Sequence, residues 1–124
     1  MTIIISNSDN TPIYEQVYRQ IKNAVISGIL KEGEMLPSIR NLSKDLRISV
    51  ITTKRAYEEL ERDGYIYTVA AKGCFVAERN IEFIKEERLV EIENYLQKII
   101  ELSKPCGITK DEILEIFNTI YMED

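Results

Sequence analysis

Apolar residues recur at every fourth position from Ile13 through Val17 and Ile21 to Val25, the spacing of one buried helix face. Thr11 stands before this stripe as an N-cap, Pro12 suits the first helical position, and Gly28 closes it. A shorter stripe, Ile39, Leu42 and Leu46, follows Pro37 and Ser38, and the Ser38 hydroxyl is a good N-cap. Arg47, Ile48 and Ser49 then read as a tight turn. Ser49 caps a further helix with an inward face of Thr53, Ala56, Tyr57 and Leu60, which Gly64 ends. Next the apolar period changes from helical to alternating. Tyr65 to Val69 and Cys74 to Ala77 are β-branched and aromatic runs on either side of Ala70, Ala71, Lys72 and Gly73, which predicts a β-hairpin. Two short helices joined by a turn are the layout of a major-groove reader. With the hairpin behind them and the helix from Thr11 to Gly28 completing the core, they make a winged helix-turn-helix.

Beyond the hairpin no Pro or Gly interrupts Ile81 to Leu102, which predicts a helix about 33 Å long. Leu89, Ile92, Leu96 and Ile99 alternate by three and four along it, the seam of a helix pair, while Glu86, Glu87, Glu91, Glu93 and Lys98 stay in water. Lys104-Pro105-Cys106-Gly107 breaks the helix. Thr109 and Glu112 form a capping box, with Ile108 and Ile113 at the positions of a hydrophobic staple, and Ile113, Ile116, Phe117, Ile120 and Tyr121 line the last helix. A two-helix hairpin of this size cannot bury both apolar faces alone. It packs either on the winged helix or on the same hairpin of a second chain, and the second arrangement is favoured, with Leu89, Ile92, Leu96, Ile99, Ile113, Phe117 and Ile120 as the dimerisation surface. The expected fold is mainly α with a small β-hairpin: an N-terminal arm at 1–10, a winged helix-turn-helix at 11–78 and a helical dimerisation module at 79–124. The arm, TIIISNSDN, reads as mostly flexible, with Ile3 to Ile5 pairing as a strand or packing on a partner.

Charge sharpens this picture. The chain of 124 residues has a net charge of −5, yet Ser38 to Arg55 holds five basic residues, Arg40, Lys44, Arg47, Lys54 and Arg55, against the one acid Asp45. Residues 1–77 carry ten basic and nine acidic side chains, residues 78–124 six and twelve, so the acidity belongs to the C-terminal part. An acidic total argues against indiscriminate nucleic-acid binding but not against a local reading face, because charges are screened beyond about 8 Å at physiological salt. The inward face of the second helix leaves Val50, Ile51, Thr52, Lys54 and Arg55 near solvent in its first turns, where a groove-entering helix meets base edges and where unpaired N–H groups favour phosphate.

From Pro12 to Val76 the chain resembles the GntR family of bacterial transcription regulators. The resemblance rests on Pro12-Ile13-Tyr14 with Gln16, the run Ile26 to Leu30, Gly33, Leu36-Pro37-Ser38 with Arg40, Leu42-Ser43, Thr52, Arg55-Ala56-Tyr57, Leu60, Gly64-Tyr65-Ile66 and Gly73 with Phe75-Val76. The short C-terminal part is similar to the YtrA-like subgroup, whose members carry a small helical dimerisation module in place of a large effector domain. The resemblance implies a dimeric, repressor-type regulator on a palindromic operator in double-stranded DNA. It implies DNA contacts at Ser38 and, two residues on, at Arg40, the latter to a base or phosphate, and a reading helix from Ser49 to Asp63 that opens with Ser49, Val50, Ile51 and Thr52 and continues to Lys54 and Arg55. Val50 and Ile51 either pack on thymine methyl groups or lie alongside without touching a base. The wing, Ala70 to Gly73, departs from the family: Ala71 stands where a glycine is usual, at a cost of roughly 1 to 2 kcal/mol if the turn needs a positive φ. Lys72 is its only charge.

Other chemistry is poorly provided for. The chain has no histidine, and Cys74 and Cys106 fit neither a metal spacing nor a disulfide framework. Adjacent acids such as Glu86 and Glu87 point in different directions on a helix, no serine or cysteine sits in a nucleophile elbow, and the glycines form no phosphate loop. The expectation is a non-enzyme without metal or cofactor. With no charged-then-apolar leader and no apolar stretch near the ~20 residues that span a bilayer, it is expected in the cytoplasm. A small-molecule effector bound between winged helix and hairpin stays open. So does a second reading, a winged-helix protein-interaction module without DNA binding.

Overall fold

The computed structural model describes residues 1–78 and 81–123, with the backbone alone at Ile81. Residues 79–80, at the expected boundary between winged helix and C-terminal module, and residue 124 lie outside it. The chain divides into two compact units, Met1–Ile81 and Glu82–Asp124.

The first unit is built on α1 (Ile13–Ser27), α2 (Ile39–Leu46), α3 (Val50–Arg62), β1 (Ile66–Val69) and β2 (Gly73–Val76). Val17, Ile21 and Val25 of α1 are buried against Ala56, Tyr57 and Leu60 of α3, with Leu42 of α2 and Ile66 and Val76 of the hairpin closing the same core. The faces expected from periodicity are the faces that are buried. At its start, α1 differs from expectation. Pro12 occupies the N-cap position and no side chain caps the helix; the Thr11 N–H donates to Asp9 Oδ1 and its carbonyl accepts from Gln16 Nε2, both at 2.9 Å. Gly28 ends α1 at φ 84°, a left-handed conformation that costs glycine nothing. Toward the other end of α3, Tyr18 donates to Asp63 Oδ2 and meets Tyr65 edge-on, tying α1 to the α3 C-terminus. Burial, reinforced by that carboxylate, raises the Tyr18 pKa above its ordinary value.

The hairpin is antiparallel, with Ile66 opposite Val76 and Val69 opposite Gly73. Its first strand begins at Ile66, one residue later than expected, because the Tyr65 N–H closes α3 by bonding the Leu60 carbonyl at 2.9 Å while Gly64 turns left-handed. The free edge of β2 is covered by a segment that shows no alternating pattern. Leu36 N–H donates to the Cys74 carbonyl, Val76 N–H to the Glu34 carbonyl and Gly33 N–H to the Val76 carbonyl, each at 2.9 Å, and Met35 bridges to Phe75.

The N-terminal arm is held rather than loose. Gln20 takes the Ile4 N–H on its Oε1 (2.9 Å) and gives its amide to the Ile4 carbonyl (2.7 Å), and Gln16 does the same for Ser6 at 2.9 Å in both directions. Two glutamine amides thus imitate a neighbouring strand, which is why Ile3 and Ile5 pack on the core without a sheet to join.

The second unit comprises α4 (Ile81–Ser103), a 3₁₀ turn (Lys104–Cys106) and α5 (Lys110–Glu123). Gly107 is left-handed at the break (φ 71°), and the Ile108 N–H reaches back to the Ser103 carbonyl at 3.1 Å. The capping box forms as expected: Glu112 N–H donates to Thr109 Oγ1 (3.2 Å) and Thr109 N–H to Glu112 Oε1 (3.3 Å). Among the described residues, no helix is long and apolar enough to cross a membrane.

Candidate nucleic-acid interface

Both helices of the helix-turn-helix are started by serine. The Asn41 N–H donates to Ser38 Oγ and the Thr52 N–H to Ser49 Oγ, each at 3.1 Å, so the first turn of each is fixed by its own residues. Between the helices Arg47 takes φ 57°, and the Ile48 N–H bonds the Ser43 carbonyl at 3.0 Å, which turns the chain sharply without a glycine. The turn is pinned from below. The buried Ser43 hydroxyl reaches Thr53 Oγ1 at 2.8 Å, and the Tyr57 phenol donates to the Pro37 carbonyl at 2.7 Å, holding α2's entry against α3. Burial raises the Tyr57 pKa above its ordinary value.

Outward from this frame α3 presents Val50 and Ile51, 48% and 80% exposed, beside a half-buried Thr52 whose hydroxyl lies 2.7 Å from Ser49 Oγ. Lys54 and Arg55 are exposed and each approaches an acid one turn on, Glu58 at 3.8 Å and Glu59 at 3.9 Å. Pairs this exposed contribute at most about 1 kcal/mol and leave both cations available to a polyanion. The Arg55 guanidinium also lies 3.7 Å from the centre of the Tyr14 ring.

Six of the ten expected site residues line two hollows, while Val50, Ile51, Lys54 and Arg55 line neither. Ser38, Arg40, Lys72 and Gly73 line one hollow of about 510 Å³ between the start of α2 and the wing, floored by Met35, Leu36 and Tyr57. Ser49 and Thr52 line another of about 460 Å³ with Arg47, Ile5 and Asn7. Arg47 and Asn7 line this second hollow and Tyr14 lies against Arg55, although no sequence spacing points to any of them as a site residue. Arg47 is legible only as one of the local basic residues. Asn7 and Tyr14 arrive by long-range packing.

The wing turn carries the strain that its sequence suggests. Lys72 N–H bonds the Val69 carbonyl at 3.0 Å, and Ala71, the third residue of that turn, sits at φ 65°. Positive φ at this position alone is the pattern of a type II turn, which glycine fits best. Tyr67 and Phe75 stack across the hairpin with centroids 5.7 Å apart, stiffening the strands beneath it.

The proposed dimerisation residues lie on the second unit. Leu89, Ile92, Leu96 and Ile99 on α4, and Phe117 and Ile120 on α5, are exposed in the single chain, and Ile113 is half-buried. No group of His, Cys, Asp and Glu among the described residues could hold a metal ion.

A three-helix core, a capped second helix of the turn with Lys54 and Arg55 in its N-terminal half, and a hairpin wing define a DNA-binding protein of the winged helix-turn-helix class. Known proteins narrow the class. The profile of the bacterial regulatory proteins of the gntR family matches residues 13–76, just over half the chain. The HTH-type transcriptional repressor YtrA of Bacillus subtilis is 33% identical over 113 residues, 91% of this chain and 87% of its own length. A crystal structure from Listeria monocytogenes described as a transcriptional antiterminator superposes with TM-score 0.74 at 31% identity, over 98% of this chain and 90% of that one. The DNA-binding domain of AraR in complex with operator ORE1 is 25% identical with TM-score 0.53, over 62% of this chain and 94% of its own. The chain belongs to the gntR family: it is a transcriptional regulator with a DNA-binding winged helix, of the YtrA-like kind with a short helical C-terminal part, and not an enzyme.

Proposed function

We propose that this regulator acts in the cytoplasm as a repressor, binding a palindromic operator as a homodimer. The observation that carries the reading is the start of α3, where Val50 and Ile51 stand exposed beside half-buried Thr52 with Lys54 and Arg55 behind them, in a chain whose net negative charge lies in its C-terminal part. A capped helix N-terminus that offers apolar and small polar side chains to base edges and cations to phosphates is what the major groove accommodates. Repression is the activity named for the B. subtilis relative, and the AraR domain supplies a family example on an operator.

For the homodimer the support is the apolar seam of the second unit. Seven large apolar side chains at helical spacing, six of them exposed, would leave a patch that soluble monomers rarely keep. A second copy covers it with the same seam. Two-fold pairing of reading helices then matches half-sites about one helical turn apart. In this assembly Arg40 and Lys72, on either side of one hollow, grip the backbone beside the groove, with Ser38 and Gly73 lending N–H groups and close approach, while Ser49 to Thr52 face the bases.

Gel shift and salt titration on fragments upstream of the chain's own operon, against a scrambled duplex, test the reading. Operator binding should exceed scrambled binding. Lys54→Ala or Lys72→Ala should weaken both alike and flatten log K against log salt by about one unit for each phosphate the variant no longer neutralises. Equal wild-type affinity for the two duplexes, or none at 50 mM salt, would instead favour a protein-interaction module, in which Val50 and Ile51 meet a protein surface.

A further inference from the structure

The Arg55 guanidinium carbon lies 3.7 Å from the centroid of the Tyr14 ring, a distance at which the planar group rests on the ring face rather than near its edge. Tyr14 is half-buried in the first turn of α1, and Arg55 is exposed on α3, so the two helices meet through this pair. On the other side the Arg55 Nε is 3.9 Å from Glu59 Oε1. With one face on the ring and Nε turned to Glu59, the outer edge with its two Nη groups is left to meet an oxygen acceptor. Arg55 stands four residues after Ile51 and three after Thr52, on the face they share, but a turn further from the helix N-terminus that enters the groove. A long arginine free in solvent could extend to a base. One laid against α1 is drawn to the side of the groove, where the sugar-phosphate backbone runs.

Resting on the DNA-binding reading above, we propose that Tyr14 is a positioning residue for DNA: its ring holds the Arg55 guanidinium flat so that the outer edge meets a backbone phosphate and not a base. A planar fork matches phosphate bidentately, and a guanidinium already immobilised on a ring loses less freedom on binding than one recruited from solvent. The ring touches no DNA itself. Its effect passes entirely through Arg55.

The test uses the full chain with operator and scrambled duplexes over a range of salt, for wild type, Tyr14→Phe, Tyr14→Leu, Arg55→Ala and the double variant Tyr14→Leu/Arg55→Ala, with thermal melts to check folding. Tyr14→Phe keeps the ring face and should bind as wild type. Tyr14→Leu, similar in bulk but without a π face, should weaken operator and scrambled duplex alike by roughly 3- to 10-fold. Arg55→Ala should weaken both and lower the salt slope by about one, and adding Tyr14→Leu to it should change nothing more. Full additivity in the double variant, an unchanged Tyr14→Leu, or an Arg55→Ala loss confined to operator would overturn the proposal. If Tyr14→Leu does not fold, the salt slope of Arg55→Ala decides on its own: an unchanged slope overturns the phosphate role. Wild type that binds neither duplex would overturn the DNA-binding reading itself.

Discussion

Both units of this chain contain helices rich in large apolar side chains, and they treat those side chains in opposite ways. In the first, Leu60, Val17 and Val76 are fully buried and three helices close around them with the hairpin. In the second, Leu96 is 49% exposed and Phe117 55%, and the one buried residue among those described is Ser103, whose hydroxyl bonds back to the Ile100 carbonyl. Amphipathic helices are stable when the apolar stripe is covered, at about 25 cal/mol for each Å² withdrawn from water. The winged helix covers its own stripes. The C-terminal unit leaves its apolar side chains exposed in the single chain, so stability in the first unit is a property of one chain, whereas in the proposed homodimer that of the second would be a property of concentration.

The largest effect expected from that contrast is on assembly. Ile92→Glu with Ile99→Glu sets two uncompensated charges in the seam, and a protein that sediments as a dimer at micromolar concentration should become monomeric while the winged helix keeps its fold. A folded double variant that stays dimeric would show that the seam is not the interface. Next in size is the core: Leu60→Ala, at a fully buried site, should cost about 2 to 5 kcal/mol in denaturant unfolding, independent of protein concentration. A concentration-dependent loss there would erase the distinction between the units.

Smaller effects probe the local devices in each. Ser49→Ala and Thr109→Ala each remove a hydroxyl that accepts a first-turn N–H, and each should lower the stability of its own unit by about 1 kcal/mol, read as separate shifts in hydrogen-exchange protection of α3 and α5. The smallest change is Ala71→Gly. Relief of φ 65° should raise stability by up to about 1 kcal/mol and leave DNA binding unchanged or tighter. A tenfold weaker complex, about 1.4 kcal/mol, would mean that the Ala71 methyl makes a contact of its own.

The features legible in the chain are those whose cause is local. Ser38, Ser49 and Thr109 cap helices because their partners lie three residues away, and the inward face of α3 follows from a period of 3.6. Even the left-handed Ala71 has a local cause, since a short hairpin loop needs a positive φ somewhere and no glycine stands at that point. The arm departs from expectation because its anchors, Gln16 and Gln20, are polar residues on the flank of a helix, and nothing in their own neighbourhood says that they will serve as a strand edge for Ile4 and Ser6.

From its sequence alone this protein had its helices, its hairpin, the basic excess between Ser38 and Arg55 and the apolar seams of its C-terminal part, because each depends on composition and spacing within a few residues. Only the tertiary structure decided that Tyr14 lies under Arg55, that Glu34 and Leu36 cover the edge of β2, and that Arg40 and Lys72 share one hollow. Those contacts join residues separated by some thirty to forty positions, and no local spacing encodes them; they exist because α1, α3 and the hairpin must close around one core, and the side chains at its margin meet wherever that closure leaves them.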